Sequence, residues 1–364
     1  MNLPLMIEYI VIGIAIFWLI LTGIVRRFNL EAKGVVILPL IFLMVRTRKF
    51  LHIVDALSEK VKLFWTGYAA AGVAVSIVGI PFSLGYFAWN AYKVLIAPKE
   101  AVPVVPIIPG VTIRFSWGLI IGIIIIIFVH EFSHGIIARR EGIPLKSMGL
   151  ILLVAIPGAF VEPDEEEMKK VSRLARIKVY SAGSLGNFIV AFLLLGLLQL
   201  IPIVPDGILI DSTLQGTPAE SALEEGMIIH QINGVDVSLY EKFSEEMDTY
   251  KEGDTVTLST DRGVVTLILA EHPDYPGKGY IGILPRQHLE HFFLLDILMW
   301  VSMLNLSIAL FNLFPISRVL DGGKITDEVL NHFFEEKTAQ KLATLVGGLA
   351  LVILIINLMT NVIL

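Results

Sequence analysis

The segment His130-Glu131-Phe132-Ser133-His134 carries the clearest chemical pattern in the chain. In a helix, residues four positions apart lie one turn apart on the same face, so the imidazoles of His130 and His134 can bind one metal ion. Imidazole ligands suit Zn²⁺. Glu131 lies beside the first ligand, where a carboxylate can act as general base toward a water on the metal. The pattern predicts metal-assisted hydrolysis, and the alternative is an interfacial His-Glu-His cluster without a metal.

A catalytic zinc site takes three protein ligands and keeps one position open, so a third ligand must come from another segment. Asp321 is the best candidate, because it follows a predicted span on the same side as His134. A turn or helix cap is the alternative interpretation of its Asp-Gly-Gly sequence. The remaining histidines are poorer candidates, since they lie in loops, in a region of soluble composition or at the opposite end of a span: His52, His230, His272, His288, His291 and His332.

The elements that must position these residues are membrane spans. The chain has 364 residues, of which 55% are apolar and only 17% charged, whereas soluble domains are less apolar and more charged. The apolar residues form runs long enough to cross a hydrocarbon core about 30 Å thick. The fold class is therefore a polytopic α-helical membrane protein. We predict six spans, at residues 5–25, 64–95 (one kinked span, with two short passes as the alternative), 117–138, 180–203, 292–314 and 342–364.

Two apolar segments are too short to span the bilayer. Residues 34–45 are predicted to be re-entrant, interfacial or part of a bent helix. Residues 149–161 contain Pro157-Gly158, a strong turn signal, and are predicted to form a β-hairpin that dips into the membrane. The edge of this hairpin could pair with an extended substrate chain, and a passive membrane-dipping loop is the alternative.

The charged residues orient the chain in the cell membrane. Lysine and arginine follow the first, third and fifth predicted spans, and the positive-inside rule assigns these three groups to the cytoplasm. The catalytic pattern then lies toward the cytoplasmic side. The net charge of −6, without a long basic block, gives no support to nucleic-acid binding. The chain contains no cysteine, which excludes disulfides and a thiol nucleophile.

A change of composition marks an inserted domain at residues 205–285. Alternating segments at 256–260 and 264–268 predict strands, and residues 220–225 and 240–250 predict short helices, so the insert is a small α+β domain on the outer side. Residues 1–116 then hold the N-terminal spans and loops. Residues 117–204 and 286–364 form the two parts of a catalytic membrane core.

These motifs together resemble the site-2 protease family of intramembrane metalloproteases. The resemblance rests on H-E-x-x-H at the end of a span, on the segment Ala182-Gly-Ser-Leu-Gly-Asn187, and on N-x-x-P at Asn312 followed by L-D-G-G at Asp321. It implies that His130, His134 and Asp321 hold one zinc ion and that Glu131 is the base. It also implies single-span membrane proteins as substrates, cut within the bilayer.

The resemblance also gives roles to two asparagines. Asn187 and Asn312 would be polar contacts for the substrate or the developing oxyanion. For Asn187 the alternative is interhelical hydrogen bonding in a seam of small residues. The chain departs from the family pattern twice: Ser184 replaces a usual proline, and the spacing from Asn312 to Asp321 is one residue longer than usual.

Residues 216–234 resemble a PDZ domain of the protease-associated type. The usual glycine before Leu223 is absent, and Met227 stands where the pattern usually has aspartate. PDZ domains bind extended peptides as an added strand, so the insert is predicted to bind peptide or, alternatively, to act as a steric gate. A catalytically inactive scaffold and a transporter are the competing functions. Glu131 and the matching Asp321 argue against them, as does the lack of an inverted repeat.

Overall fold

The computed structural model describes residues 3–107, 112–113, 115–154 and 156–360. The helices of this part of the chain are α1 (Leu3–Arg27), α2 (Leu51–Glu59), α3 (Lys62–Ile96), α4 (Trp117–Arg140), α5 (Glu165–Lys170), α6 (Arg173–Leu198), α7 (Pro218–Ala222), α8 (Tyr240–Met247), α9 (Phe292–Asn312), α10 (Asp321–Phe333) and α11 (Glu336–Leu358). The strands are β1 (Val35–Leu38), β2 (Phe42–Thr47), β3 (Leu145–Leu153), β4 (Ile156–Pro163), β5 (Pro205–Thr213), β6 (Ile228–Ile232), β7 (Val235–Asp236), β8 (Thr255–Thr260), β9 (Gly263–Ile268), β10 (Ala270–His272), β11 (Tyr275–Tyr280) and β12 (Ile283–Leu289).

The chain is a multi-pass membrane protein. Within the described residues, five helices are long and apolar enough to cross a bilayer, namely α3, α4, α6, α9 and α11. They coincide with the second to sixth predicted spans, although residues 361–364 of the last one lie outside the described part. The first predicted span lies within α1, which is not among the five, so the count of six stays a prediction.

The 35-residue helix α3 continues through Pro81. At a rise of about 1.5 Å per residue it is longer than the hydrocarbon core is thick, so one span does not need its whole length. Tight packing joins its middle to the end of α9. A Cβ added at Gly79 would lie 2.5 Å from Cδ1 of Leu313, and Leu313 itself is fully buried. The small residue therefore brings α3 close to the segment that follows Asn312.

A four-stranded antiparallel sheet, in the order β1-β2-β3-β4, belongs to the same compact unit as the spanning helices. Residues 34–45 form its first hairpin, so the expectation of a bent helix there is wrong. Their β-branched and aromatic residues favour extended backbone, and β2 finds a partner in β3 about a hundred residues later. A Cβ at Gly149 would overlap the carbonyl oxygen of Val45, so only glycine allows this approach of β2 and β3.

Strands β3 and β4 pair across the predicted hairpin, from Gly149 opposite Phe160 to Leu153 opposite Ile156. Residue 155, at the turn, lies outside the described residues. In the sheet path β4 is a terminal strand, so its second edge is free of strand partners among the described residues. That the hairpin dips into the membrane stays a prediction.

Residues Leu197–Asp296 form a separate compact unit. Its main sheet has the order β12-β5-β6-β8-β9, with β7 paired to β6, and β10 pairs with β11. Fully buried apolar residues such as Ile208, Ile229 and Leu258 form its core. The unit therefore has a hydrophobic core of its own, as an inserted domain requires.

Candidate metal centre

The second half of α4 carries the H-E-x-x-H pattern, and its two histidines face each other across one turn. The Nε2 atoms of His130 and His134 lie 3.1 Å apart, with the rings nearly perpendicular. His130 is buried and His134 is partly buried. The helical spacing therefore points both imidazoles at one place, as the sequence predicts.

Asp321 reaches the same place from the first position of α10. Its Oδ2 atom lies 3.3 Å from Nε2 of His130 and 3.1 Å from Nε2 of His134. The side chain is only 6% exposed, and Oδ2 has no hydrogen-bond partner. In the part of the chain that the structure describes, these three residues form a group that could hold a metal ion.

The spacing of the three atoms fits a zinc ion. Ligand bonds of about 2.0–2.1 Å in a tetrahedral site put neighbouring ligand atoms about 3.3 Å apart. The three observed separations, 3.1, 3.1 and 3.3 Å, are close to that edge length. A buried carboxylate oxygen without a partner is costly, and a cation at this point would satisfy it. The donor set and its geometry therefore both fit Zn²⁺.

The carboxyl of Asp321 is held in its ionised form. Burial alone raises its pKa, but the imidazoles of His134 and His130 beside it hold the pKa well below its usual range. A metal-ligating carboxylate must be deprotonated and a metal-ligating imidazole must be neutral, so the histidine protons that lower this pKa have to leave when a metal ion binds.

Contacts behind the histidines determine which nitrogen each ring can offer to a metal ion. The Nδ1 atom of His134 lies 2.7 Å from the carbonyl oxygen of Val179 in α6. A carbonyl accepts only, so Nδ1 carries the proton and donates it. In the neutral ring, which is the form that binds a metal, the lone pair is then on Nε2, which faces Asp321 and His130.

Asn187 lies against the other ring, that of His130. Its amide group is fully buried, with Nδ2 placed 3.2 Å from Nδ1 of His130. When Nε2 of His130 binds a metal, Nδ1 is protonated and needs an acceptor, which is the amide oxygen of Asn187 in its flipped orientation. Asn312, at the end of α9, lies 3.5 Å from Nε2 of the same ring, at the limit of a hydrogen bond. The two asparagines thus face opposite nitrogens of one imidazole.

Glu131 links the three candidate metal ligands to the four-stranded sheet. Its Oε2 atom accepts a 3.0 Å hydrogen bond from the backbone N–H of Val161 in β4. Glu131 also lines a cleft together with His130, His134, Asp321 and Asn312. The proposed base is therefore at the edge of β4 and beside the metal ligands at the same time.

Glycine is required where helices meet at this site. A Cβ added at Gly183 of α6 would overlap Nε2 of His134 and lie 2.6 Å from Cε1 of His130. A Cβ at Gly322 would overlap the backbone carbonyl of Leu313. The two glycines let α6 and α10 approach closely enough to bring the three ligands together.

Sequence reasoning missed several residues that support the site. The hydroxyl of Tyr68 in α3 lies 2.8 Å from the carbonyl oxygen of Ala182 and 2.9 Å from Oγ of Ser133, so it ties α4 to α6 beside the ligands. A tyrosine hydroxyl inside an apolar span was the available signal, since a polar group there needs a partner. Nothing in the sequence indicated the contact between Val179 and His134, because Val179 makes it through its backbone carbonyl and not through its side chain.

Comparisons with known proteins support the family predicted from the motifs. The sequence model of peptidase family M50 matches residues 118–356. An uncharacterized protein, MJ0971, of Methanocaldococcus jannaschii is 30% identical over 320 residues, covering 86% of this chain and 83% of that protein. Among solved structures, the PDZ domain of an SdrC-like protein from Listeria monocytogenes matches with 24% identity over 23% of this chain and 93% of that domain, at a TM-score of 0.21. Its counterpart from Listeria innocua matches with 26% identity over 23% of this chain and 97% of the domain, also at 0.21.

The close approach at Gly183 gives a first prediction. Gly183→Ala should lose zinc, because the added methyl group occupies space that the two imidazoles need. Gly196→Ala is the matched control on the same helix, since a Cβ there meets nothing within 4 Å. Zinc content of both purified variants checks this. Full zinc occupancy in Gly183→Ala would contradict the described packing.

The contact of Asn187 with His130 gives a second prediction. Asn187→Leu should weaken zinc affinity by about 10- to 100-fold, because the protonated Nδ1 of His130 loses its acceptor. Asn187→Asp keeps an acceptor oxygen and should keep the affinity. Competition with a chelator measures both. If zinc affinity is unchanged in Asn187→Leu while cleavage falls, Asn187 acts on the substrate instead.

Proposed function

Because the chain belongs to peptidase family M50, the site-2 protease family that its motifs resemble, we propose that it is a zinc-dependent endopeptidase that cuts other membrane proteins within their transmembrane segments. The observation that carries the proposal is the convergence of His130, His134 and Asp321 at the end of a spanning helix, with Glu131 in the same cleft. Single-span membrane proteins are the proposed substrates, since one helix can enter such a cleft from the bilayer.

Each residue of the cleft has its own proposed role in the reaction. His130, His134 and Asp321 would hold the zinc ion, which when bound would supply Lewis acidity toward a peptide carbonyl and a water molecule. Glu131 takes the proton of the attacking water and passes it to the leaving amine. Asn312 is available to donate a hydrogen bond to the developing oxyanion. Asn187 keeps the imidazole of His130 in its binding orientation.

A transmembrane helix hides its backbone in its own hydrogen bonds, so it must be extended before its carbonyl meets the metal. The free edge of β4 supports a way to do this. The N–H of Val161 bonds to Glu131 rather than to β3, so the backbone N–H of Val161 points to the free edge of β4. Polar groups alternate along a strand, so the N–H of Ala159, two residues earlier, points to the same edge. An extended substrate paired with this edge regains hydrogen bonds and lies beside Glu131.

The sidedness of the chain is part of the proposal. Arg139 and Arg140 end α4, one to two turns beyond His134, and the positive-inside rule assigns that end to the cytoplasm. The cut would then fall in the cytoplasmic half of the substrate's span, with a short path for water. The insert would lie on the outer side.

Peptide binding by the insert is proposed from its own geometry. Strand β12 is terminal in the main sheet, and a groove lies between β12 and α8. Phe243, Met247 and Ile283 are among the apolar residues lining it. A terminal strand beside an apolar groove suits an extended peptide, which adds as a further strand and buries alternate side chains.

The proposed base gives the decisive test. Glu131→Gln should reduce cleavage of single-span substrates in detergent by about 10²–10⁴-fold, because the amide cannot take a proton. Its carbonyl oxygen can still accept from Val161, so fold and bound zinc should be unchanged. The exposed Glu336→Gln is the control. Equal cleavage by wild type and Glu131→Gln would refute the assignment of Glu131 as the base. Purified wild-type protein without bound zinc would favour a scaffold or a transporter.

The free edge of β4 gives a further test. Ala159→Pro removes an outward N–H without touching the β3–β4 ladder, so cleavage should fall roughly 2- to 12-fold, the equivalent of one hydrogen bond of about 0.5–1.5 kcal/mol. Ala159→Ser keeps the N–H and is the control. Zinc content should be equal in both. Equal cleavage by the two variants would show that substrate does not pair at this position.

A further inference from the structure

Lys324 contacts the carboxylate oxygen of Asp321 that does not face the two histidines. Its Nζ atom lies 3.2 Å from Oδ1 of Asp321, whereas Oδ2 faces the two histidines. The two residues are one helical turn apart at the start of α10. The carboxylate therefore has one oxygen for the metal and one for an ammonium group.

The position of Lys324 is electrostatically unusual. A cation in the first turns of a helix opposes the helix macrodipole, so the sequence places Lys324 where helix stability alone would disfavour it. A second contact compensates: the ammonium lies 5.5 Å from the centroid of the Tyr180 ring in α6. The Lys324 side chain is 36% exposed and lines the cleft that holds Glu131 and the ligands.

Resting on the proposed zinc site, we propose that Lys324 is a positioning residue that keeps Asp321 a one-oxygen ligand. Its ammonium holds Oδ1, so only Oδ2 is offered to the metal. Without this contact the carboxylate can rotate and bind through both oxygens, as metal-ligating carboxylates often do. The second oxygen would then fill the position that a catalytic site must keep open.

Coordination number is the property to measure, and Co²⁺ reports it. The full-length protein and its variants are loaded with Co²⁺ in detergent, and their visible ligand-field bands are recorded, which weaken as coordination rises from four to five. Lys324→Met should show weaker bands than wild type. Lys324→Arg, which keeps a cation near Oδ1, should restore them. The exposed Lys337→Met, on α11, is the matched control and should have the wild-type spectrum.

Turnover of the zinc-loaded variants is the second measurement. Lys324→Met should lose about 10- to 100-fold in cleavage, with Lys324→Arg closer to wild type. A wild-type cobalt spectrum in Lys324→Met would overturn the proposal, even with reduced cleavage, because the ammonium would then act on the substrate. Lys324→Gln replaces Lys324→Met if the latter shows no thermal unfolding transition, and its spectrum is judged in the same way.

The spectral result is independent of the proposed protease activity. A wild-type protein that binds Co²⁺ in four-coordinate form and cleaves no substrate would defeat the proposed function while leaving the comparison of Lys324 variants intact. Conversely, unchanged bands across all variants, together with normal cleavage, would defeat the role of Lys324 alone.

Discussion

The mutual distance of three ligand atoms is the constraint on which the catalytic unit depends. His130 and His134 come from α4 and Asp321 from α10, and their metal-facing atoms lie within 3.1–3.3 Å. Such proximity needs three helices in close contact, because α6 supplies the partners of both imidazoles. Glycines at 183 and 322 make that contact possible, since any larger residue would enter the space of a ligand ring or a backbone carbonyl.

Polar contacts hold these helices together where the hydrophobic effect cannot. Lipid tails are as apolar as the helix surfaces, so spanning helices associate through close packing and hydrogen bonds. Tyr68 links α4 to α6 near the ligands, and buried Asn90 and Asn357 join α3 to α11 at 2.7 Å. A bidentate pair of Arg176 and Glu328, at 2.6 and 2.7 Å, anchors α10 to α6. The position of Asp321 thus depends on contacts well beyond its own turn.

The four-stranded sheet contributes the edge of an extended strand, β4, to a site otherwise built from helices. Its terminal strand β4 meets α4 through Glu131, so the residue proposed to move protons also touches the edge proposed to hold the substrate. A protease for transmembrane helices needs both functions in one place, because an extended chain loses its internal hydrogen bonds just where it is to be cut. The role proposed for Lys324 adds a third requirement, which is that Asp321 binds the metal through one oxygen only.

The sequence by itself determined the features that depend on local spacing. The period of the helix places His130 and His134 on one face, and the length of apolar runs predicts six spans, five of which coincide with helices that are long and apolar enough to cross a bilayer in the described part of the chain. The link to Asp321 needed the family resemblance, since nothing local relates residues so far apart. Of the alternatives for residues 34–45, the bent helix was wrong because a short apolar run suits a strand as well as a helix, and only β3, far away in sequence, decides between them. The contacts of Tyr68, Val179 and Asn187 were likewise decided by tertiary structure, as was that of Lys324 with Tyr180, because each depends on which helices pack together.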